Sequence, residues 1–209
     1  MAKALLAKKI GMTQVFDEQG RAIPVTVLQA GPCYVAQLKS VETDGYNSIQ
    51  LAFVEKKEQR VNRPLRGHFK RAGIKPCRYL KEFKVDRSDR SFTLGQELKA
   101  GIFTAGDSVD VCAVSRGKGF AGSIKRLGFH RGPETHGSHY HRGPGSLGSI
   151  AANRVFKGRP LPGRMGHSQI TVQNLSIVRV DSDKNILLVS GSVPGPQGGL
   201  VEVKESIKK

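Results

Sequence analysis

The feature that most limits what this chain can fold into is the stretch from Val114 to His167. It holds twelve Gly, four Pro and ten Lys or Arg, with Glu134 as its one carboxylate. Residues of these kinds bury too little apolar surface to offset the entropy lost on ordering, so the stretch cannot build a core of its own. An irregular loop of this length is foreign to a compact domain unless it leaves that domain and is ordered by a partner. The flanks must supply the core, and the centre must meet something polyanionic.

The flanks read as β structure. Ala22 to Gln29 (AIPVTVLQ) is rich in β-branched residues, Tyr34 to Lys39 follows the Gly31-Pro32 break, and Asp44-Gly45 precedes Ser48 to Val54 as a hairpin signal. A meander is the simplest arrangement of these runs. Between Lys56 and Lys84 the pattern turns basic and irregular, with one short helix expected around Arg66 to Ala72. Asp107 to Val114 alternates polar and apolar, and Ile170 to Val180, Ile186 to Val189 and Leu200 to Val203 supply further short strands. Short strands and frequent turns predict a mainly β chain whose sheet closes into a small barrel, because closure protects strand edges. The expected division is a discontinuous β domain of residues 1–114 and 168–209, with residues 115–167 as an extended, basic, largely irregular insertion.

The charge narrows the partner. The 209 residues carry 34 Lys or Arg against 17 Asp or Glu, a net +17, which calls for nucleic acid or an acidic membrane surface. The charged segment lacks the periodicity of an amphipathic membrane helix, and no apolar run is long enough to span a bilayer. In MAKALLAKK the apolar patch is cut by Lys8 and Lys9 before a signal-peptide core could form, so a cytoplasmic protein is expected. Cys33, Cys77 and Cys112 are odd in number and far apart, which argues against a disulfide framework or a cysteine zinc site and for three small apolar residues.

Within the centre, SRGKGFAGS spells G-x-G-x-x-G with Gly117, Gly119 and Gly122. A dinucleotide fingerprint needs a crossover helix after the glycines and an acidic residue about 20 positions on. SIKRLGFHRGP is too short and too broken for that helix, and no carboxylate lies near Arg142. The glycines are better read as allowing close approach to phosphates that Arg116, Lys118, Lys125 and Arg126 neutralise. His136, His139 and His141 in HGSHYH are metal-ligand types, but no second carboxylate or thiolate is near, and Arg131 and Arg142 disfavour a cation. Hydrogen bonding or stacking on nucleotides suits them better. Phe120, Phe129, Tyr140 and Phe156 sit among the charges, either packing the loop on itself or stacking on unpaired bases. There is no G-x-S-x-G, no G-x-x-x-x-G-K-[ST] and no H-E-x-x-H, so no catalytic residue, cofactor, metal or small-molecule substrate is expected.

Seven blocks, in order along essentially the whole chain, resemble the bacterial form of the large-subunit ribosomal protein L3 family. They are GMTQVF (Gly11 to Phe16), RAIPVTVL, TDGYNSIQ (Thr43 to Gln50), GHFKRAG (Gly67 to Gly73), SRGKGFAGSIKR, THGSHYHRGPGSLGS and RVFKGRPLPGRMG. The resemblance implies a six-stranded closed barrel of the elongation-factor/reductase type with a long inserted extension. It implies direct binding to large-subunit (23S) ribosomal RNA early in assembly, neighbouring large-subunit proteins as partners, and an extension that runs towards the peptidyl transferase centre. Carried over by motif, the RNA-contacting residues are Arg116, Lys118, Lys125 and Arg126 at the base, and Arg131, His136, His139, His141 and Arg142 towards the tip. Arg154, Lys157, Arg159, Arg164 and His167 line the returning arm, with Lys8 and Lys9 on the barrel. Some bacterial relatives carry a methylated glutamine after the PGS-hydrophobic-G element; here Gly148 is followed by SIAANRV, so that modification is not expected.

Overall fold

The computed structural model describes residues 3–85 and 92–208. In chain order its elements are β1 (Ala4–Phe16), β2 (Ala22–Ala30), β3 (Cys33–Lys39), α1 (Val41–Asp44), β4 (Ser48–Glu55), α2 (Arg63–Arg71), β5 (Cys77–Lys84), β6 (Glu97–Leu98) and β7 (Ser108–Val114). Then follow β8 (Phe120–Ala121), α3 (Ser123–Leu127), β9 (Gly163–Arg164), β10 (Gln169–Asp181), β11 (Ile186–Ser190) and β12 (Leu200–Glu205). They fall into two compact units, one ending at Val114 and resuming at Gln169, the other Ser115–Ser168.

In the first unit six antiparallel strands close into a barrel in the order β1-β12-β7-β10-β11-β2. The mainly β fold and the closed six-stranded barrel expected from the sequence are both present. Alternation fills its interior: Val109 and Val111 of β7, Leu187 and Val189 of β11, and Val201 and Val203 of β12 are fully buried at every second position. No strand of the ring has a free edge, which removes the hazard of edge-to-edge association.

The simple meander is corrected. β2 and β3 do not pair; β3, β4, β5 and β6 form a separate four-stranded sheet in the order β5-β4-β3-β6. Gly31, at φ 98°, makes the corner between barrel and sheet, a conformation that a side chain would strain. The hairpin signal also acts differently from a tight turn. Lys39 pairs with Ser48, but the connection carries α1, whose first turn is capped by the Ser40 hydroxyl accepting from the Thr43 N–H and whose end is Gly45 at φ 80°.

The sheet is covered on both faces. Ile49, Leu51 and Phe53 of β4 join the barrel residues Leu5, Leu6 and Leu28 in the main core. The other face puts Ala36 and Ala52 into a smaller cluster with Val61, Phe69 and Cys77, and Phe69 is the residue that α2 buries there. The helix begins at Arg63 rather than Arg66 because Pro64 suits the first turn of a helix. Cys33, Cys77 and Cys112 are buried and unpaired. Burial pushes the Cys33 thiol up to about 12 and the Cys77 thiol up to about 11, so both stay protonated near neutral pH.

The second unit is built differently. Among its residues only Ala121 and Ser123 are buried. Its regular structure is the two-stranded β8-β9 pair, in which Phe120 lies opposite Arg164, the five-residue α3, and single turns.

Candidate nucleic-acid interface

The base of the second unit is a backbone ladder. The Lys118 N–H donates to the Met165 carbonyl at 2.9 Å, and the Met165 N–H donates to the Gly119 carbonyl at 2.9 Å. Gly119 turns at φ 67°, and Gly122 precedes α3, whose short course is ended by Gly128. The G-x-G-x-x-G spelling thus shapes the start of an antiparallel pair, and the Lys118 amide is already used by the protein instead of being presented to a dinucleotide.

Beyond the ladder the unit is held by polar side chains reaching backbone carbonyls. The Arg126 guanidinium donates to Leu161 O at 2.5 Å, tying α3 to the returning arm, and Arg159 donates to Ser146 O. The Gly132 N–H donates to the His141 carbonyl at 2.9 Å, and the His141 Nδ1 lies 2.8 Å from Pro133 O. The Tyr140 hydroxyl accepts the Gly145 N–H at 2.5 Å. Arg131 and Glu134 form an exposed ion pair. With so little apolar burial, these bonds do the fixing that packing does in the first unit.

The basic side chains still face outward. Arg116, Lys118, Lys125, Arg126, Arg131, His136, His139, Arg142, Arg154, Lys157, Arg159, Arg164 and His167 are all exposed, and His141 is half-buried. Phe120 is 80% exposed and Phe156 56% exposed, with the Arg154 guanidinium 5.3 Å from the Phe156 ring centre. Phe129 is half-buried, whereas Tyr140 stays 53% exposed even with its hydroxyl engaged by Gly145, so Phe120, Tyr140 and Phe156 are the aromatics left open for stacking. Among the described residues no three His, Cys, Asp or Glu converge as ligands for a metal ion.

The two barrel lysines part company. Lys8 is exposed on β1, whereas Lys9 is 6% exposed and its ammonium donates to Val193 O at 2.6 Å and Gly195 O at 3.4 Å. The inward turn accompanies a register shift between Lys9 and Gly11 in the β1–β2 pair, a bulge that sequence alternation does not reveal. Lys9 therefore anchors the chain before β12 to the barrel.

Comparison with known proteins gives a consistent picture. The model of the ribosomal protein L3 family matches residues 82–185. The large ribosomal subunit protein uL3 of Carboxydothermus hydrogenoformans is 58% identical over 208 residues, covering 100% of this chain and 99% of that protein. Those of Pelotomaculum thermopropionicum and Desulfitobacterium hafniense are 56% and 55% identical, each covering 100% of this chain and 99% and 98% of their own lengths.

Proposed function

Since the chain belongs to the ribosomal protein L3 family, we propose that it is a structural constituent of the large ribosomal subunit that binds ribosomal RNA directly, not an enzyme. The observation that carries this reading is the second unit: an outward array of cations with almost no acids and almost no core, held in shape by its own carbonyls. Each cation placed on a phosphate releases counterions, so affinity should fall steeply with salt. Exposed Phe120 and Phe156 add stacking surface, and the histidines add donors and acceptors for base edges and sugars. In this reading the unit orders fully within RNA during subunit assembly, extends towards the peptidyl transferase centre, and lies beside other large-subunit proteins. The place of action is then the ribosome in the bacterial cytoplasm. Among the described residues no helix is long and apolar enough to cross a membrane.

The test is binding to large-subunit ribosomal RNA fragments across a salt series, for the full chain and for a variant with residues 115–168 replaced by a short Gly-Ser linker. Val114 pairs directly with Gln169, so the linker joins strand ends that are already neighbours. The variant should fold, lose most of the salt slope and lose preference among fragments. An unchanged slope and preference would sink the proposed role of the unit.

A further inference from the structure

The second unit does not hold all of the excess charge. Residues 56–78 contain nine Lys or Arg and one acid, Glu58, for a net +8 in 23 positions. Residues 114–167 carry +9, and the rest of the chain holds fifteen basic and fifteen acidic residues, so these two segments account for the whole net charge of +17.

All nine cations of residues 56–78 are exposed. Among the described residues Lys75, 3.5 Å from Glu55, is the one member with a carboxylate partner. α2 organises four of the others. At 100° per residue, Arg63, Arg66, Gly67, Lys70 and Arg71 fall within an arc of about 140°, while Phe69 points away into the small cluster beneath the helix. The Arg66 Nε donates to Val61 O at 2.8 Å, which fixes that guanidinium near the helix start.

Gly67 lies inside this arc. A glycine in the middle of an exposed helix is destabilising relative to alanine. Nothing among the described residues requires it: its φ is ordinary, and a Cβ built there meets none of their atoms within 4 Å. The bare backbone at Gly67, ringed by Arg63, Arg66, Lys70 and Arg71, suits a close approach from outside by a phosphate–sugar backbone. Of the rings beside Gly67, Phe69 is 1% exposed and His68 is half-buried with its Nε2 2.7 Å from Gln50 Oε1, so the arc offers no open stacking platform and reads backbone rather than bases.

We infer that the cationic face of α2 is a second RNA-binding surface, separate in sequence and in character from residues 115–168, that grips an RNA sugar–phosphate backbone at Gly67. The inference rests on the reading of the chain as a ribosomal RNA binder and adds a site to it. An acidic protein segment could neutralise the same cations, but it would have no use for a side-chain-free spot.

The test compares four full-length proteins for binding to large-subunit ribosomal RNA fragments across a salt series: the parent chain, R63A/R66A/K70A, G67Q, and the linker variant described above. The triple variant should lower the slope of log affinity against log salt by about 2 to 3, one increment of about 0.7 to 0.9 for each lost phosphate contact. G67Q keeps the charge and favours the helix, so its melting temperature should hold or rise while its RNA affinity drops severalfold. Parent-like affinity and slope in both α2 variants would overturn the second surface, and a weakened linker variant in the same series would leave the first reading standing. The reverse pattern, with α2 variants weakened and the linker variant intact, supports the α2 surface and removes the role assigned to residues 115–168. If the α2 cations serve an acidic protein instead, the triple variant will bind RNA like the parent, and the inference fails.

Discussion

Residues 56–78 and 115–168 carry nearly the same net charge on opposite structural terms. The first segment has an anchor: Val61, Phe69 and Cys77 lie in a buried cluster with Ala36 and Ala52 of the neighbouring sheet, and Arg63, Arg66, Lys70 and Arg71 stand on the far side of a packed helix. The second has two buried residues, Ala121 and Ser123, and keeps its course through guanidinium, imidazole and backbone bonds to carbonyl oxygens. In the first case charge is added to a structure that hydrophobic burial has already fixed. In the second the charged groups are the structure, so their removal alters shape and potential together.

The comparison breaks most visibly at phenylalanine. Truncating Phe69 to Ala should cost about 3–5 kcal/mol, because the side chain is fully buried and the helix has no other buried residue to hold it. Phe120→Ala should change stability by less than about 0.5 kcal/mol, since that ring is 80% exposed. Chemical denaturation of both variants decides it, and equal losses would mean that residues 115–168 own a core after all. Next in size are the paired lysines. Lys9→Met removes the donor to Val193 O and should destabilise by about 1–3 kcal/mol, whereas Lys8→Met should leave stability unchanged and reduce RNA affinity only slightly. Comparable melting of the two variants would remove the anchor role given to Lys9.

A smaller effect separates strut from charge within the second unit. Arg126→Lys keeps the positive charge but loses the forked donor that reaches Leu161 O. Amide exchange around Leu161 to Met165 should quicken while global stability and the RNA salt slope stay as they were. A reduced slope with unchanged exchange would make Arg126 a phosphate ligand first and a strut second.

These contrasts follow what the sequence could and could not convey. Alternating valines in β7 and β12, and Leu187 with Val189 in β11, announce half-buried strands because only local period matters, so the barrel was legible. The partition of β3, β4 and β5 into a second sheet was not, because sheet membership depends on which edges meet after the Gly31 corner. Lys9 looks like Lys8 in the sequence, and only the folded strand shows which of the two is buried. The composition of residues 114–167 points to a polyanionic partner, yet the density of cations between Lys56 and Arg78 is higher still. It is easily passed over because buried apolar residues alternate with it. Only the helix shows that Arg63, Arg66, Lys70 and Arg71 share a face with Gly67.

Acid should act on the two regions unequally, and by the least amount. The hydrogen bond from the Lys3 ammonium at 2.7 Å, and then the Thr104 N–H at 2.9 Å, holds the Asp107 carboxyl below the usual carboxylate range. Glu82 is lowered likewise, first by its bond with Lys39 and further by the Tyr46 hydroxyl. A carboxyl depressed in the folded state contributes stability that is fully present above its unfolded pKa, about 4, and is lost as pH falls through its folded value. Both groups are partly exposed, so the effect is modest. In residues 115–168 the one carboxylate, Glu134, sits in an exposed pair with Arg131, which contributes little. Melting followed from pH 6 to pH 3 should therefore show a loss below about pH 4 that the linker variant shares in full and that D107N reduces. If the linker variant loses the acid sensitivity, the titrating contacts belong to the second unit, and its polar scaffold matters more to the fold than the barrel's ion pairs do.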